Sequence, residues 1–319
     1  MEQPSFAGQL LPGRTAQALL PDFTMQRRIW PLLLGLGYIA LIYALGGLRP
    51  EHVIIGSLGL LDAYNPSTRR FLKEFFPFVL TGSVFDSMRY YYWWGISHTH
   101  VRVDEVYYRD LYWFCINTVV DGVGRRLTPN EYFDIHQWRW VDLLTGFAYL
   151  VFIFQYLSVA VMLFILKEAK WNARFGWGFF VVNLVGFITY YLYPAAPPWY
   201  VTRYGLGPAN MDATPSSASA VRFDQHLGTH FFSEMYGRGI DVFGAYPSLH
   251  VAYPLLATYM LLKVPRLRWL TLPGLAFYAL MCFSAVYLQH HYVMDIVLGT
   301  AYALAAIAVI EFLSRHRRA

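Results

Sequence analysis

Charge is scarce in this chain. Only 14% of its 319 residues are Asp, Glu, Lys or Arg, against about 25% in soluble globular proteins, while 56% are hydrophobic. An ordinary soluble domain is thereby excluded, and lipid is the expected solvent for the long apolar runs. Cysteine is scarcer still: Cys115 and Cys282 are the only two, so no disulfide framework or thiolate metal site can be built. No polar linker separates two halves and no internal repeat recurs. The first 25 residues are mixed and broken by Pro4, Pro12 and Pro21, without the pattern of a cleavable signal. The formal charge of +5 comes from short basic clusters between apolar runs rather than one basic face, which reads as membrane topology and not as nucleic-acid binding. One membrane domain is expected over residues 1–319, with N-terminal spans and a non-cytoplasmic segment in 1–140 and the chemistry in 141–313.

The apolar runs are 29–48, 52–64, 75–94, 142–166, 175–193, 249–262, 270–288 and 292–312. Runs near 20 residues in lipid are helices, because lipid offers the backbone no hydrogen-bond partner. The fold class expected is therefore all-α integral membrane, a bundle of about eight transmembrane helices; the short run 52–64 is the marginal member. Eight crossings place Arg27-Arg28, Arg69-Arg70-Lys73, Lys167-Lys170-Arg174, Lys263-Arg266-Arg268 and Arg315-Arg317-Arg318 on one side, the cytoplasmic side by the positive-inside rule. Dropping 52–64 would put Arg27-Arg28 opposite the rest. Both termini then lie inside. Residues 95–141, 194–247 and the turn 289–291 meet on the periplasmic or lumenal face, where His98, His100, His136, His226, His230, His290 and His291 also fall. Aromatics in these segments, such as Tyr107-Tyr108, Trp138 and Trp140, favour ordered loops at the membrane surface.

Two short motifs carry the chemistry: Tyr246-Pro247-Ser248-Leu249-His250 and His291-Tyr292-Val293-Met294-Asp295. On a helix, His291 and Asp295 would share a face one turn apart. The carboxylate could then hold one imidazole nitrogen and leave the other free as base or nucleophile. A buried Asp in an apolar helix needs such a partner. Pro247 suits a helix's first turn, which would aim the amides of Ser248 and its neighbours at the face where His291 lies, and a helix start is an anion site. Two histidines and an anion cradle suffice for phosphoryl transfer. A lone His-x-x-x-Asp is a weak pattern, and His290 alone reads as a polar end residue. Metal binding by His250, His290, His291 and Asp295 finds no further ligand, so neither metal nor cofactor is expected.

The chain resembles the type 2 phosphatidic acid phosphatase superfamily, and within it the inositol phosphorylceramide synthases. The resemblance covers roughly residues 140–313 and rests on Pro194-Ala195-Ala196-Pro197-Pro198-Trp199-Tyr200, Tyr204-Gly205-Leu206, Phe243-Gly244-Ala245-Tyr246-Pro247-Ser248-Leu249-His250 and Tyr287-Leu288-Gln289-His290-His291-Tyr292-Val293-Met294-Asp295. It implies a six-helix-type phosphatase core. In it His291 is the nucleophile, Asp295 orients it and His250 is the acid/base. The phosphatases of the superfamily carry a Lys/Arg-Pro motif before the Ser-His motif, and an Arg after a Ser seven residues ahead of the nucleophile. Here Ala285 follows Ser284, and 194–200 holds no Lys or Arg. Losing two cations suits a singly charged phosphodiester donor better than a doubly charged monoester.

The expected activity is transfer of a phospho-headgroup from phosphatidylinositol to ceramide through a phosphohistidine. Tyr246, Ser248, Arg203, Arg222, Asp224, Arg238 and Asp241 are candidate substrate contacts, of which Arg222-Phe223-Asp224 is again similar to the synthases; each loop charge reads equally well as a solvated one. Two rivals stand beside this: a lipid phosphatase with water as acceptor, and a transporter with a His/Asp relay. The transporter would place its ionisable groups near mid-membrane, whereas these cluster at span ends. Ethanolamine, choline and glycerol phosphates remain possible headgroups.

Overall fold

A computed structural model describes residues 23–45, 47–64, 66–91, 96–237, 239 and 242–316. Arg238 and Asp241, proposed as substrate contacts, lie outside the described residues. The chain separates into two compact units, Met1–Leu72 and Lys73–Ala319. The first holds α1 (Phe23–Ala44) and α2 (Pro50–Tyr64), and the boundary falls inside α3 (Pro66–Tyr91). Within this unit α1 and α2 pack side by side. Gly35 and Gly56 face each other there, each too close to the other's backbone to admit a Cβ.

The second unit continues with α4 (Asp104–Phe114), an antiparallel hairpin of β1 (Ile116–Val120) and β2 (Val123–Leu127), and α5 (Pro129–Ile135). Two long helices follow, α6 (Arg139–Ile165) and α7 (Ala169–Leu192), then the short α8 (Pro198–Tyr204), α9 (Val221–Leu227) and α10 (Phe231–Gly237). The last three are α11 (Leu249–Lys263), α12 (Thr271–Tyr287) and α13 (Val293–His316).

Four stretches among the described residues are long and apolar enough to cross a membrane: Arg139–Ile165, Ala169–Leu192, Pro265–Tyr287 and Val293–Leu313. They correspond to four of the five runs expected in the C-terminal part. The fifth, α11, has 15 residues, or about 22 Å at 1.5 Å per residue, short of the ~30 Å of a hydrocarbon core. It is nonetheless the centre of the unit. Leu256, Ala257, Met260 and Leu261 are buried against Val159, Ala160 and Leu163 of α6, Phe175 and Phe179 of α7 and Ile310 of α13. Around the other end of α11, Val251 joins Tyr149 and Phe152 of α6 with Met281 and Ala285 of α12. Protein therefore surrounds α11 along its length, so its ends need not reach lipid headgroups.

The three segments expected to share one face are joined. Arg102, Ala195 and Gly244 form successive parallel bridges, with Arg102 N–H donating to Pro194 O (2.8 Å) and Ala195 N–H to Phe243 O (2.7 Å). The turn before His291 is tied to the same layer, because Trp199 N–H donates to Gln289 O (3.1 Å) and Ser219 N–H to Leu288 O (3.2 Å). The described part of 95–141, a segment whose aromatics favour order, folds into α4, the hairpin, α5 and the start of α6. Thr128 and Glu131 close a capping box at the start of α5, the arrangement that satisfies orphan amides at a helix start. On α4 the aromatics Tyr108, Tyr112 and Trp113 are exposed alongside Asp104 and Glu105, a mix of rings and charge that suits a helix at a lipid interface.

Candidate active site

Residues 245–250 lead into α11 and residues 288–292 lead into α13, and the two starts lie against each other. Ser248 is the residue before α11, so Pro247 stands outside the helix rather than in its first turn. Its carbonyl accepts from Tyr190 Oη (2.9 Å). Ser248 N–H donates to Asp295 O (2.9 Å), which fixes the start of one helix on the first turn of the other. Gly299 of α13 sits over Ser248 O with no room for a Cβ.

His250 Nδ1 and His291 Nε2 are 3.0 Å apart. His291 Nδ1 is 2.8 Å from Ala245 O, and a carbonyl only accepts. The proton of the neutral His291 ring is therefore on Nδ1, and Nε2 carries the lone pair. His250 Nδ1–H then donates to that lone pair. Burial pushes the His291 imidazole down to about 4, against a smaller upward pull from the Ala245 carbonyl. At neutral pH the ring is uncharged, with its free nitrogen facing His250.

Asp295 is not hydrogen-bonded to His291. His291 lies two residues ahead of the start of α13, so the one-turn spacing expected on a continuous helix does not hold. Asp295 Oδ2 is 3.6 Å from His291 Nδ1 and accepts from Tyr292 N–H at 2.8 Å. Its carboxylate closes the turn that carries His291, while Ala245 O sets the ring's tautomer.

Several groups around the pair were not visible in the sequence. Asn130 of α5 donates through Nδ2 to Val286 O (2.9 Å) and His291 O (3.0 Å), and Gln289 Nε2 returns a bond to Asn130 O (2.6 Å). Tyr149 of α6 stacks on His250 (4.8 Å, 23°) and on His290 (5.1 Å, 15°). His290 stacks in turn on Tyr236 (4.7 Å, 12°). His290 is thus a wall residue of the site, and burial, followed by His250 and His291, drives its imidazole well below the ordinary range. The only signal for these contacts was the apolar placement of Tyr149 and the capping pattern at Thr128, and neither names a partner.

Residues 127–309 match the PAP2 superfamily. The chain belongs to that superfamily. It is 32% identical over 287 residues to the phosphoinositol dihydroceramide synthase of Bacteroides thetaiotaomicron, a match covering 86% of this chain and 88% of the relative. It is 31% identical over 176 residues to the inositol phosphorylceramide synthase of Candida albicans, covering 54% of this chain and 36% of the relative. The inositol phosphorylceramide synthase catalytic subunit of Saccharomyces cerevisiae is 32% identical over 174 residues, 54% of this chain and 41% of that protein. No solved structure is significantly similar to the chain.

Within this PAP2 site the remaining expected contacts divide. Ser248 is fully buried with its hydroxyl unpartnered, a free donor next to His250. Tyr246 packs its ring on Tyr193 (5.3 Å). The described loop charges, Arg203, Arg222 and Asp224, make their contacts away from the histidine pair. Arg222 Nε donates to Asp142 Oδ1 at 2.6 Å, and the same carboxylate receives Tyr287 Oη (3.0 Å) and faces His226 Nε2 (3.0 Å). Asp224, on α9, accepts from Phe232 N–H (3.0 Å) and Ser233 N–H (3.1 Å), so its carboxylate satisfies first-turn amides of α10 from the neighbouring helix. Arg203 is exposed and lies over Tyr204 (5.4 Å). Asp142 and Asp224 consume their partners within the fold, which sequence spacing could not reveal. Ala285, where a phosphatase would carry Arg, is fully buried, and both His290 N–H (3.1 Å) and His291 N–H (3.0 Å) donate to its carbonyl.

Proposed function

We propose that this protein transfers phosphoinositol from phosphatidylinositol to the hydroxyl of a ceramide and releases diacylglycerol. The observation that carries the chemistry is the 3.0 Å approach of His250 Nδ1 to a His291 Nε2 whose lone pair is fixed by the Ala245 carbonyl. The substrates are supported by the relatives, two of them inositol phosphorylceramide synthases and one a phosphoinositol dihydroceramide synthase.

The donor phosphate displaces the His250–His291 hydrogen bond and parts the two rings, and its negative charge favours a protonated His250. The His291 Nε2 lone pair attacks phosphorus. The bond from phosphorus to the diacylglycerol oxygen breaks, and that oxygen keeps the electron pair and takes the proton from His250. Neutral His250 then accepts the proton of the ceramide hydroxyl as its oxygen attacks phosphorus. The phosphorus–nitrogen bond breaks, its electron pair returns to His291 Nε2, and both rings regain their starting states. Acid–base help of this kind contributes roughly 10²–10⁴-fold. The free Ser248 hydroxyl and the first amides of α11 are the donors suited to the phosphate oxygens. With no cation at Ala285 or in 194–200, the singly charged diester is favoured over a monoester. Reconstituted protein offered labelled phosphatidylinositol or labelled phosphatidic acid should turn over the former with ceramide; preferential release of phosphate from the latter would establish the phosphatase reading instead.

We also infer that the chain crosses the membrane about eight times with both termini cytoplasmic, which puts the histidine pair on the periplasmic or lumenal face. The support is that this count places the five basic clusters named above, from Arg27-Arg28 to Arg315-Arg317-Arg318, on one side. In a background lacking Cys115 and Cys282, Val119→Cys should react with an impermeant maleimide in intact cells, and Glu168→Cys only after permeabilisation. The reverse pattern would overturn the orientation.

A further inference from the structure

The superfamily match begins at residue 127, yet α4 (Asp104–Phe114) touches both catalytic motifs. Asp110 is fully buried. Its Oδ1 accepts from Met294 N–H at 3.1 Å, an orphan amide of the first turn of α13. The adjacent Arg109 places its guanidinium 5.0 Å from the ring centroid of Tyr246, the first residue of the other motif. It also lies 5.8 Å from the Tyr193 ring and donates to Tyr193 Oη at 3.2 Å.

The helix that presents this pair is itself held. Asp104 Oδ1 accepts from Gly207 N–H (2.7 Å), Glu105 Oε1 accepts from Tyr193 Oη (2.6 Å), and Tyr107 Oη donates to Glu131 Oε1 (2.8 Å). Val106 is buried with Ala195 and Tyr292.

We propose that Arg109 and Asp110 are positioning residues that clamp the two catalytic motifs together, one gripping Tyr246 and the other the start of α13, and so set the approach of His250 to His291. Neither touches the histidine rings; each acts through the backbone or ring it holds. Burial pushes the Asp110 carboxyl up to about 7, against the Met294 amide, so a neutral carboxamide that keeps an acceptor at the same place is a fair substitute.

Two measurements test the clamp. The first needs no assumption about the reaction: hydrogen exchange of the amides in 292–296. Exchange should accelerate at least about tenfold in Asp110→Ala and stay near wild type in Asp110→Asn, because losing the cap frees the local turn. Wild-type protection in Asp110→Ala overturns the proposal. The second rests on the proposed transferase activity and uses wild type as its control. Asp110→Ala and Arg109→Leu should each lower kcat roughly tenfold or more, with KM for phosphatidylinositol little changed, as misplacement of reacting groups does. Asp110→Asn should recover most of the turnover, and the double variant should fall little below the worse single one, since both act on one distance. A rise in KM alone, or unchanged kcat, overturns the clamp; an inactive wild type would instead refute the proposed substrates and leave the exchange result to decide the clamp. Should Asp110→Ala fail to accumulate, Arg109→Leu carries the same test from the other end.

Discussion

His291→Ala should abolish headgroup transfer, a loss on the order of 10⁴-fold or more, as removal of a catalytic nucleophile does elsewhere. The expectation follows from the ring's surroundings. Its Nδ1 proton is committed to Ala245 O, and its Nε2 faces His250. His250→Ala should cost roughly 10²–10⁴-fold, the usual contribution of an acid–base group. The double variant should be no worse than His291→Ala alone, because an acid without a nucleophile has nothing to act on. Removing the imidazole leaves Ala245 O without its donor, which costs about 1–3 kcal/mol, so each variant is to be compared at equal amounts of inserted protein. Activity within tenfold of wild type in His291→Ala would remove it from the nucleophile's role.

Gly299→Ala is the second large effect, and its sign runs against helix propensity. Alanine in a helix interior is favoured over glycine by about 0.8–1 kcal/mol, so on propensity alone the change would stabilise α13. The atom in the way, however, is the backbone carbonyl oxygen of Ser248, which belongs to the residue that starts α11 and has no rotamer to give. The methyl group must push α13 off α11, and overpacking of this kind costs about 1–3 kcal/mol. The same shift stretches the bond from Ser248 N–H to Asp295 O, now 2.9 Å, and moves Asp295 relative to both histidines. A displacement near 1 Å at reacting groups costs on the order of 10²-fold. Activity should therefore fall by about that factor in a protein that still inserts and melts no higher than wild type. Gly37→Ala is the control, since nothing lies within 4 Å of its Cβ position. A Gly299→Ala protein that melts higher and keeps its activity would contradict the α11–α13 contact described above.

Much of the site could be read from the sequence because its chemistry is local. The two motifs announce themselves by residue type, and the turn after Pro247 and the start of α13 bring them together wherever two adjacent helices begin on one side. The detail failed where a contact depends on a helix boundary. A continuous helix would set His291 one turn from Asp295, but the helix starts at Val293, and the Ala245 carbonyl rather than the carboxylate meets Nδ1. In the sequence Arg222 and Asp224 are candidate substrate contacts, from their place in a loop and their likeness to the synthases. In the fold, Asp142 and the first amides of α10 bind them, over separations no pattern encodes. Asn130, Tyr149 and Asp110 went unseen for the same reason. Each is an unremarkable residue in its own segment and meets the site only through tertiary packing. The span count shows the complementary limit. Apolar length identified the four long helices, whereas α11 is shielded by protein and does not need the length that lipid would demand.

The central claim is that this histidine pair moves a phospho-headgroup between lipids, and reconstitution with doubly labelled phosphatidylinositol tests it most directly. With label in both inositol and phosphorus, and ceramide present, the two labels should appear together in one ceramide product, matched by equal release of diacylglycerol and lost in His291→Ala. Label recovered as water-soluble inositol phosphate, at a rate indifferent to ceramide, would contradict the transferase and leave a hydrolase in its place.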